Sequence, residues 1–290
     1  MQKVLVTGGL GFIGSNLVKI LKKTGNYNIT VIDNICSVSS NPAYKEDGVE
    51  YIIDSINNLD KIKYQDLKFD LIFHLAGLSR IQPSFSDPLS YFKTNVLGTV
   101  QVGELAKRCG ARIVYAASSS AEAGPHLNPY AFTKWGGEEI LKMYAEIFNV
   151  STVSTRFFNV YGPRQPWEGT YATVVGIFER QYSAGELLTI TGTGEQRRDF
   201  THVNDICQGM ICLSKDSHKG EIYNLGTSKN YSINELAKLY THQSYKHIPA
   251  RPGEAWSTLA DITKTQKFGY KPKEALDKYV TEWKKERTKK

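Results

Sequence analysis

Thr7-Gly8-Gly9-Leu10-Gly11-Phe12-Ile13-Gly14 stands between a β-branched run, Val4-Leu5-Val6, and a helix-length segment at 12–23. It satisfies G-x-G-x-x-G through Gly9, Gly11 and Gly14, and G-x-x-G-x-x-G through Gly8, Gly11 and Gly14. That spacing serves a tight strand-to-helix turn, backbone approach to a pyrophosphate without an intervening Cβ, and close helix–strand packing. The first N–H groups of the helix, at Phe12, Ile13 and Gly14, then face the phosphates. Taken alone, the pattern also fits a glycine-rich turn that binds nothing. The next strand candidate, Ile29-Thr30-Val31-Ile32, runs into Asp33-Asn34, and Asp33 lies 19 residues past Gly14. This is close to the ~20 expected for the acid that holds ribose hydroxyls. No Lys or Arg occupies 34–40 to meet a 2′-phosphate. NAD, rather than NADP, is the expected cofactor.

Outward from the turn, the alternation continues. Tyr51-Ile52-Ile53, Leu71-Ile72-Phe73, Ile113-Val114-Tyr115 and the run 152–156 are further strand candidates, with helical patterns at 87–108 and 131–148. Strands alternating with helices at this spacing argue βαβ units and a parallel sheet covered on both faces. The expected fold is α/β, a Rossmann-type doubly wound parallel sheet. After Pro163 the rhythm changes, and Gly162-Pro163-Arg164-Gln165-Pro166 breaks the pattern. The expected division is an NAD-binding part at 1–165 and a smaller C-terminal substrate lobe at 166–290. Short helices are expected near 171–183, 203–214 and 232–242, and the segment 195–226 is a candidate to rejoin the first sheet.

Composition narrows the class. A chain of 290 residues, 41% hydrophobic and 22% charged, has enough apolar content to fold as about two compact units. No stretch reaches the ~18 to 20 apolar residues of a membrane span. The N-terminus has no long apolar region and no small-residue cleavage site, so secretion is not expected. Cys36, Cys109, Cys207 and Cys212 form no C-x-x-C pair; they read as reduced thiols of a cytoplasmic protein with no metal framework. Of the net charge of +7, the stretch 273–290 holds +3, from seven basic and four acidic residues. That tail reads as a solvated helix with a frayed end, not as a nucleic-acid module.

Tyr130-Ala131-Phe132-Thr133-Lys134 puts a phenol and an ammonium on one helix face. A free tyrosine, with a pKa near ~10, is a poor base at neutral pH, and a nearby cation favours its phenolate. The strand before it ends in Ser118-Ser119-Ser120, and ligands of open α/β sheets bind at the carboxyl ends of strands.

Here the chain resembles the extended short-chain dehydrogenase/reductase superfamily, and within it the nucleotide-sugar epimerases and dehydratases of UDP-glucose 4-epimerase type. The resemblance runs over nearly the whole chain. It is carried by Val31-Ile32-Asp33-Asn34, His74-Leu75-Ala76-Gly77, Asn95-Val96-Leu97-Gly98-Thr99, Arg156-Phe157-Phe158-Asn159-Val160-Tyr161-Gly162-Pro163, the stretch from Gly192 to Phe200, and Arg251-Pro252-Gly253-Glu254. It implies that Asp54 and Ser55 meet the adenine, that Leu75, Ala76 and Gly77 wall the dinucleotide, and that Tyr130 and Lys134 are the catalytic pair. Lys134 would hold the nicotinamide ribose and lower the Tyr130 pKa. Counting back from Gly124, the catalytic hydroxyl falls on Ser119. The family's Val-Tyr-Gly is replaced here by Glu122-Ala123-Gly124, and a one-residue gap moves the role to Ser120. Asn159 would touch substrate, and Arg198 and Arg251 the diphosphate. Surface pairing of Arg198 with Asp199 or Asp205, and a simple loop charge at Arg251, are the plain alternatives. His74 and His202 read as structural, hydrogen-bonded residues.

The implied reaction is transient oxidation at C4 of a UDP-sugar and re-reduction on the opposite face. A 4,6-dehydratase or decarboxylase shares the first step, and a simple reductase exchanges its cofactor. In the dehydratases an Asp-Glu pair follows the catalytic threonine. Ser120 and Ala121 stand there in this chain, and Glu122 reaches that role only if the alignment slips. The resemblance further implies a homodimer formed through the helices near 87–108 and 131–148.

Overall fold

The structure, a computed structural model, describes residues 1–37, 40–241 and 244–287. Seven strands form one parallel sheet: β1 (Gln2–Thr7), β2 (Tyr27–Ile32), β3 (Glu50–Ile52), β4 (Leu71–His74), β5 (Arg112–Ser118), β6 (Thr152–Phe157) and β7 (Lys219–Leu225). Their order is β7-β6-β5-β4-β1-β2-β3. The chain builds outward from β1 to β3, then returns to lay β4 on the other side of β1. That reversal opens a crevice at the carboxyl ends of β1 and β4, where α/β sheets of this kind take ligands. The expected α/β, doubly wound Rossmann-type sheet is therefore found, and its edge strand β7 comes from within 195–226.

Both faces of the sheet are covered, so its strands read as nearly continuous apolar runs. On one face, α1 (Phe12–Thr24) and a later helix, Val203–Leu213, pack Leu17, Leu21, Ile206 and Met210 against Val4, Val6 and Phe73. On the other, α2 (Gly98–Cys109) and α3 (Pro129–Phe148) pack Leu105 and Leu141 against Leu5, Ile72 and Ile113.

The helix expected over 87–108 is not uniform. Pro88–Tyr91 is α-helical, Phe92–Leu97 is a π-helical stretch, and α2 follows. The wider turn sends the Asn95 side chain inward. There its carbonyl oxygen accepts from Leu78 N at 2.8 Å, and its amide donates to Leu78 O and to Thr133 Oγ1, each at 3.0 Å.

The rest of the chain encloses a separate core that includes Tyr161, Phe178, Leu236, Tyr240, Val280 and Trp283. Two small strand pairs frame it: 189–191 with 246–248, parallel, and 197–199 with 230–232, antiparallel. The C-terminal helix, Leu276–Arg287, is not the solvated element expected from its charge. Leu276, Val280 and Trp283 recur at helical spacing and are buried in this core, leaving the charges on the other face. Lys289 and Lys290 lie outside the described residues. Among the described residues no helix is long and apolar enough to cross a membrane.

Candidate active site

A cavity of about 620 Å³ lies at the carboxyl ends of the strands, and each site residue expected from the sequence borders it, from Gly8 at one end to Arg251 at the other. Gly9 does not; a Cβ there would run into Val31 at 2.7 Å. The glycine turn is shaped by close approach. Gly8 has φ 70°, and a Cβ on it would lie 2.8 Å from Ala76 N; one on Gly14 would overlap the Gly8 carbonyl. A Cβ on Gly11 would meet only Gly8 O, at 3.4 Å, and would otherwise project into open volume. Gly11 opens α1 with no side-chain cap, so the first N–H groups keep their donors for a ligand. The turn offers the space and the free donors that a pyrophosphate needs.

Asp33, at the end of β2, ties the turn together. One carboxylate oxygen accepts from Leu10 N at 3.0 Å, the other from Ile35 N at 2.8 Å and Ser40 Oγ at 3.3 Å. Asn34 accepts from Cys36 N at 3.3 Å. The Asp54 carboxylate is already engaged by Lys63 at 2.7 Å and by Tyr64 and Asn58, each at 2.6 Å. These donors, Lys63 first, hold it well below the usual carboxylate range. Its neighbour Ser55 accepts from Asn57 N at 3.2 Å. The wall formed by Leu75 and Ala76 is fixed from β1, since both amides donate to Thr7 Oγ1. A Cβ on Gly77 would lie 3.0 Å from Asn95 Oδ1 and 3.2 Å from Lys134 Nζ. The missing side chain lets those groups converge on the wall.

Tyr130 and Lys134 project from the first turns of α3 beneath the end of β5. Lys134 is 6% exposed and donates to Ala116 O at 2.7 Å. Burial pushes its ammonium pKa down to about 8, and Glu138 acts in the opposite direction. Burial also pushes the Tyr130 phenol up, while the Ser118 hydroxyl and the Arg80 guanidinium pull it down. The Ser118 hydroxyl hydrogen-bonds the Tyr130 phenol, and Ser119 and Ser120 also border the cavity, on the helical turn that starts at Ser119. The Arg80 guanidinium also acts on Tyr130, and the Lys134 ammonium is hydrogen-bonded to the Ala116 carbonyl. Sequence reasoning passed over Arg80. The available signal was a lone cation shortly after the His74-Leu75-Ala76-Gly77 strand end.

At the far end, Arg198 pairs with Glu254 at 3.3 Å and donates to Arg197 O and Trp256 O. Its pairing is therefore not with Asp199 or Asp205. Asp199 accepts from Thr227, Ser228 and Ala260 amides, and Asp205 from those of Lys273 and Glu274. Asn159 donates to Thr258 Oγ1 at 3.2 Å, and Arg251 is exposed at the cavity rim. Glu122 does not border the cavity; it faces Arg156 at 3.7 Å. His74 bridges Thr7 and Thr99 hydroxyls at 2.9 and 3.0 Å, and His202 accepts from Asn204 N, as expected of structural histidines.

Residues 4–226 match the family model described as the NAD dependent epimerase/dehydratase family. The chain is 31% identical, over 97% of its length and 97% of the relative's, to the Methanocaldococcus jannaschii protein named "Putative UDP-glucose 4-epimerase". It is 32% identical to UDP-glucuronic acid decarboxylase 4 of Arabidopsis thaliana, over 94% of this chain and 66% of that one. The crystal structure of UDP-glucose 4-epimerase from Thermotoga maritima, with UDP-glucose, superposes with a TM-score of 0.91 at 26% identity, covering 99% of each chain. With the glycine cradle, Asp33 and the Tyr130–Lys134 pair around one cavity, and most of the chain inside the family model, the protein belongs to the NAD-dependent epimerase/dehydratase family.

Proposed function

We propose that the chain is a UDP-hexose 4-epimerase. Residues 1–165, with 195–226, would carry NAD, and the remainder of 166–290 the sugar nucleotide. Bound at the glycine turn, the dinucleotide supplies hydride acceptance and return. The protein's part is acid–base and positional. Tyr130, as phenolate, takes the proton of the C4 hydroxyl and later returns it, with Ser118 hydrogen-bonding the same oxygen. Lys134 and Arg80 keep positive charge near the phenol. Arg198 and Arg251 hold the diphosphate, so that the 4-keto sugar turns over without leaving.

The observation that carries this choice within the family is the distribution of carboxylates. Those bordering the cavity are Asp33, Asp54 and Glu254, the first two at the dinucleotide end and the last paired with Arg198. Ala121 follows the serines, and Glu122 is turned to Arg156. Elimination of water needs a further acid and base beside the sugar in addition to Tyr130, and among the described residues no unpaired carboxylate borders that end of the cavity. A second reading, decarboxylation of a uronic acid, draws on the relatives so named. The deciding experiment incubates the protein with a panel of UDP-sugars and follows products by NMR and mass. Interconversion of C4 epimers with no mass change is expected; a product lighter by water or carbon dioxide overturns it.

We also propose a homodimer through the helices of residues 88–109 and 129–148, and a cytoplasmic location, supported by four free cysteines.

A further inference from the structure

We infer that Arg80 is a specificity-determining residue, a cation that receives a carboxylate carried by the sugar next to the carbon that Tyr130 serves. The inference rests on the nucleotide-sugar reading above and narrows its substrate class.

Arg80 is held in an unusual conformation. Its φ is 83° and ψ 141°, a backbone region that L-residues rarely occupy and that persists where surrounding contacts over-determine it. Those contacts are present. The Tyr91 hydroxyl donates to Ser79 O at 2.7 Å and to Arg80 O at 3.1 Å, and Arg80 Nε donates to Tyr171 O at 2.9 Å. The Arg80 backbone is thereby fixed by Tyr91, and its side chain by the Tyr171 carbonyl.

Among the described residues Arg80 has no carboxylate partner, and the acidic groups acting on it are the Tyr130 and Tyr91 phenols. Its two terminal nitrogens meet no acceptor among those residues. It nevertheless borders the cavity together with Tyr130, whose ring meets Tyr91 edge-on at 6.3 Å between centroids. A half-buried guanidinium with no carboxylate partner is stabilised when an anion completes it. Two free terminal nitrogens in one plane form a fork that suits a carboxylate.

Location selects the anion. The diphosphate already has Arg198 and Arg251 at the opposite end, whereas Arg80 stands with the group that handles C4. The carboxylates within reach of that point sit on the flanking carbons: the C6 carboxylate of a hexuronate, on C5, or an acidic ether on C3. Either presents the same chemistry to Arg80.

The test titrates the NAD-loaded full chain by calorimetry with UDP-glucose, UDP-glucuronate, UDP-N-acetylglucosamine and UDP-N-acetylmuramate. It is repeated with Arg80→Gln and Arg80→Lys. One acidic sugar nucleotide should bind about tenfold or more tightly than its neutral counterpart, as a charge-assisted hydrogen bond supplies. Arg80→Gln should abolish that preference while leaving neutral binding nearly unchanged, and Arg80→Lys should restore part of it. Preference for the glucuronate places the carboxylate on C5, and preference for the muramate places it on C3. Equal affinities in the unaltered chain, or equal losses for acidic and neutral sugars in Arg80→Gln, overturn the inference and leave Arg80 as a partner of Tyr130 alone. Tight binding of neutral sugars without discrimination keeps the nucleotide-sugar reading and rejects only this proposal; binding of none rejects both.

Discussion

The Lys134 ammonium donates to the main-chain carbonyl of Ala116 at 2.7 Å, beneath the strand that ends at Ser118. Burial lowers its pKa from 10.5 to about 8, so below pH 8 the folded chain carries a charge it would bind less readily than the unfolded chain. The shift corresponds to about 3 kcal/mol of destabilisation, partly offset by roughly 1 kcal/mol from the hydrogen bond.

Lys134→Met is therefore expected to be inactive and more stable by about 1–2 kcal/mol at pH 7. Between pH 8 and 10.5 the folded lysine has released its proton while the unfolded chain still holds one. The stability of the unaltered protein then rises with pH, and the gap to the variant closes. Urea unfolding at pH 7 and 9.5 measures both arms; a variant less stable at pH 7 would show that the Ala116 bond dominates.

Tyr130→Phe should retain binding of NAD and sugar nucleotide while turnover falls by roughly 10²- to 10⁴-fold, the usual worth of a positioned general base. Alanine at each of Ser118, Ser119 and Ser120 assigns the hydroxyl. Ser118 faces the phenol, so its removal should cost at least about tenfold in kcat, the worth of one such hydrogen bond. A larger fall at Ser119 or Ser120 would assign the hydroxyl to that serine.

The legible parts were those with a period or a fixed backbone demand. The sheet followed from alternating apolar runs, and Gly8, Gly11, Gly14 and Asp33 from a turn that tolerates few alternatives. The Ser118 contact was not legible because counting back from Gly124 cannot say which of three consecutive hydroxyls turns inward. Arg80 carries no periodic signal at all; its role depends on Tyr91 and Tyr171, brought together only by the fold. The packing of the C-terminal helix was legible in principle from Leu276, Val280 and Trp283, but its charges obscured it.

Arg156 joins β6 to α3 through two hydrogen bonds to Glu138, both at 2.8 Å, and the Glu138 side chain is 1% exposed. Arg156→Leu leaves that carboxylate buried without its partner, and a loss of about 3–5 kcal/mol is expected. Adding Glu138→Leu should recover much of it, because replacing both members of a buried pair by apolar groups is often neutral. Thermal unfolding of the single and double variants measures this; no recovery in the double variant would mean that local packing, not the stranded charge, sets the loss.

Asp33→Ala should weaken NAD binding, since the ribose hydroxyls lose a charged acceptor worth about 1.5–3 kcal/mol. The same carboxylate also receives the Leu10 and Ile35 amides, so the variant should lose stability in the absence of NAD as well. Tighter binding of NADP than NAD by the unaltered protein, in a direct titration, would contradict the role given to Asp33.

The helical segment from Pro88 to Cys109 leaves large apolar side chains in the open: Leu89 is 62% exposed and Leu97 58%, with Phe92 beside them. The Phe92 ring lies 5.7 Å from that of Phe132 on α3, so the two helices present these groups together. In a two-fold dimer each such residue is buried twice, at about 1.5–3 kcal/mol for a fully covered leucine. Leu89→Glu combined with Leu97→Glu would set charges in that contact on both copies. The paired variant should run as a monomer by light scattering at micromolar concentration, with unaltered circular dichroism and NAD binding. An unaltered protein that is itself monomeric under those conditions, or a doubly substituted one that stays dimeric, would move the contact away from this face.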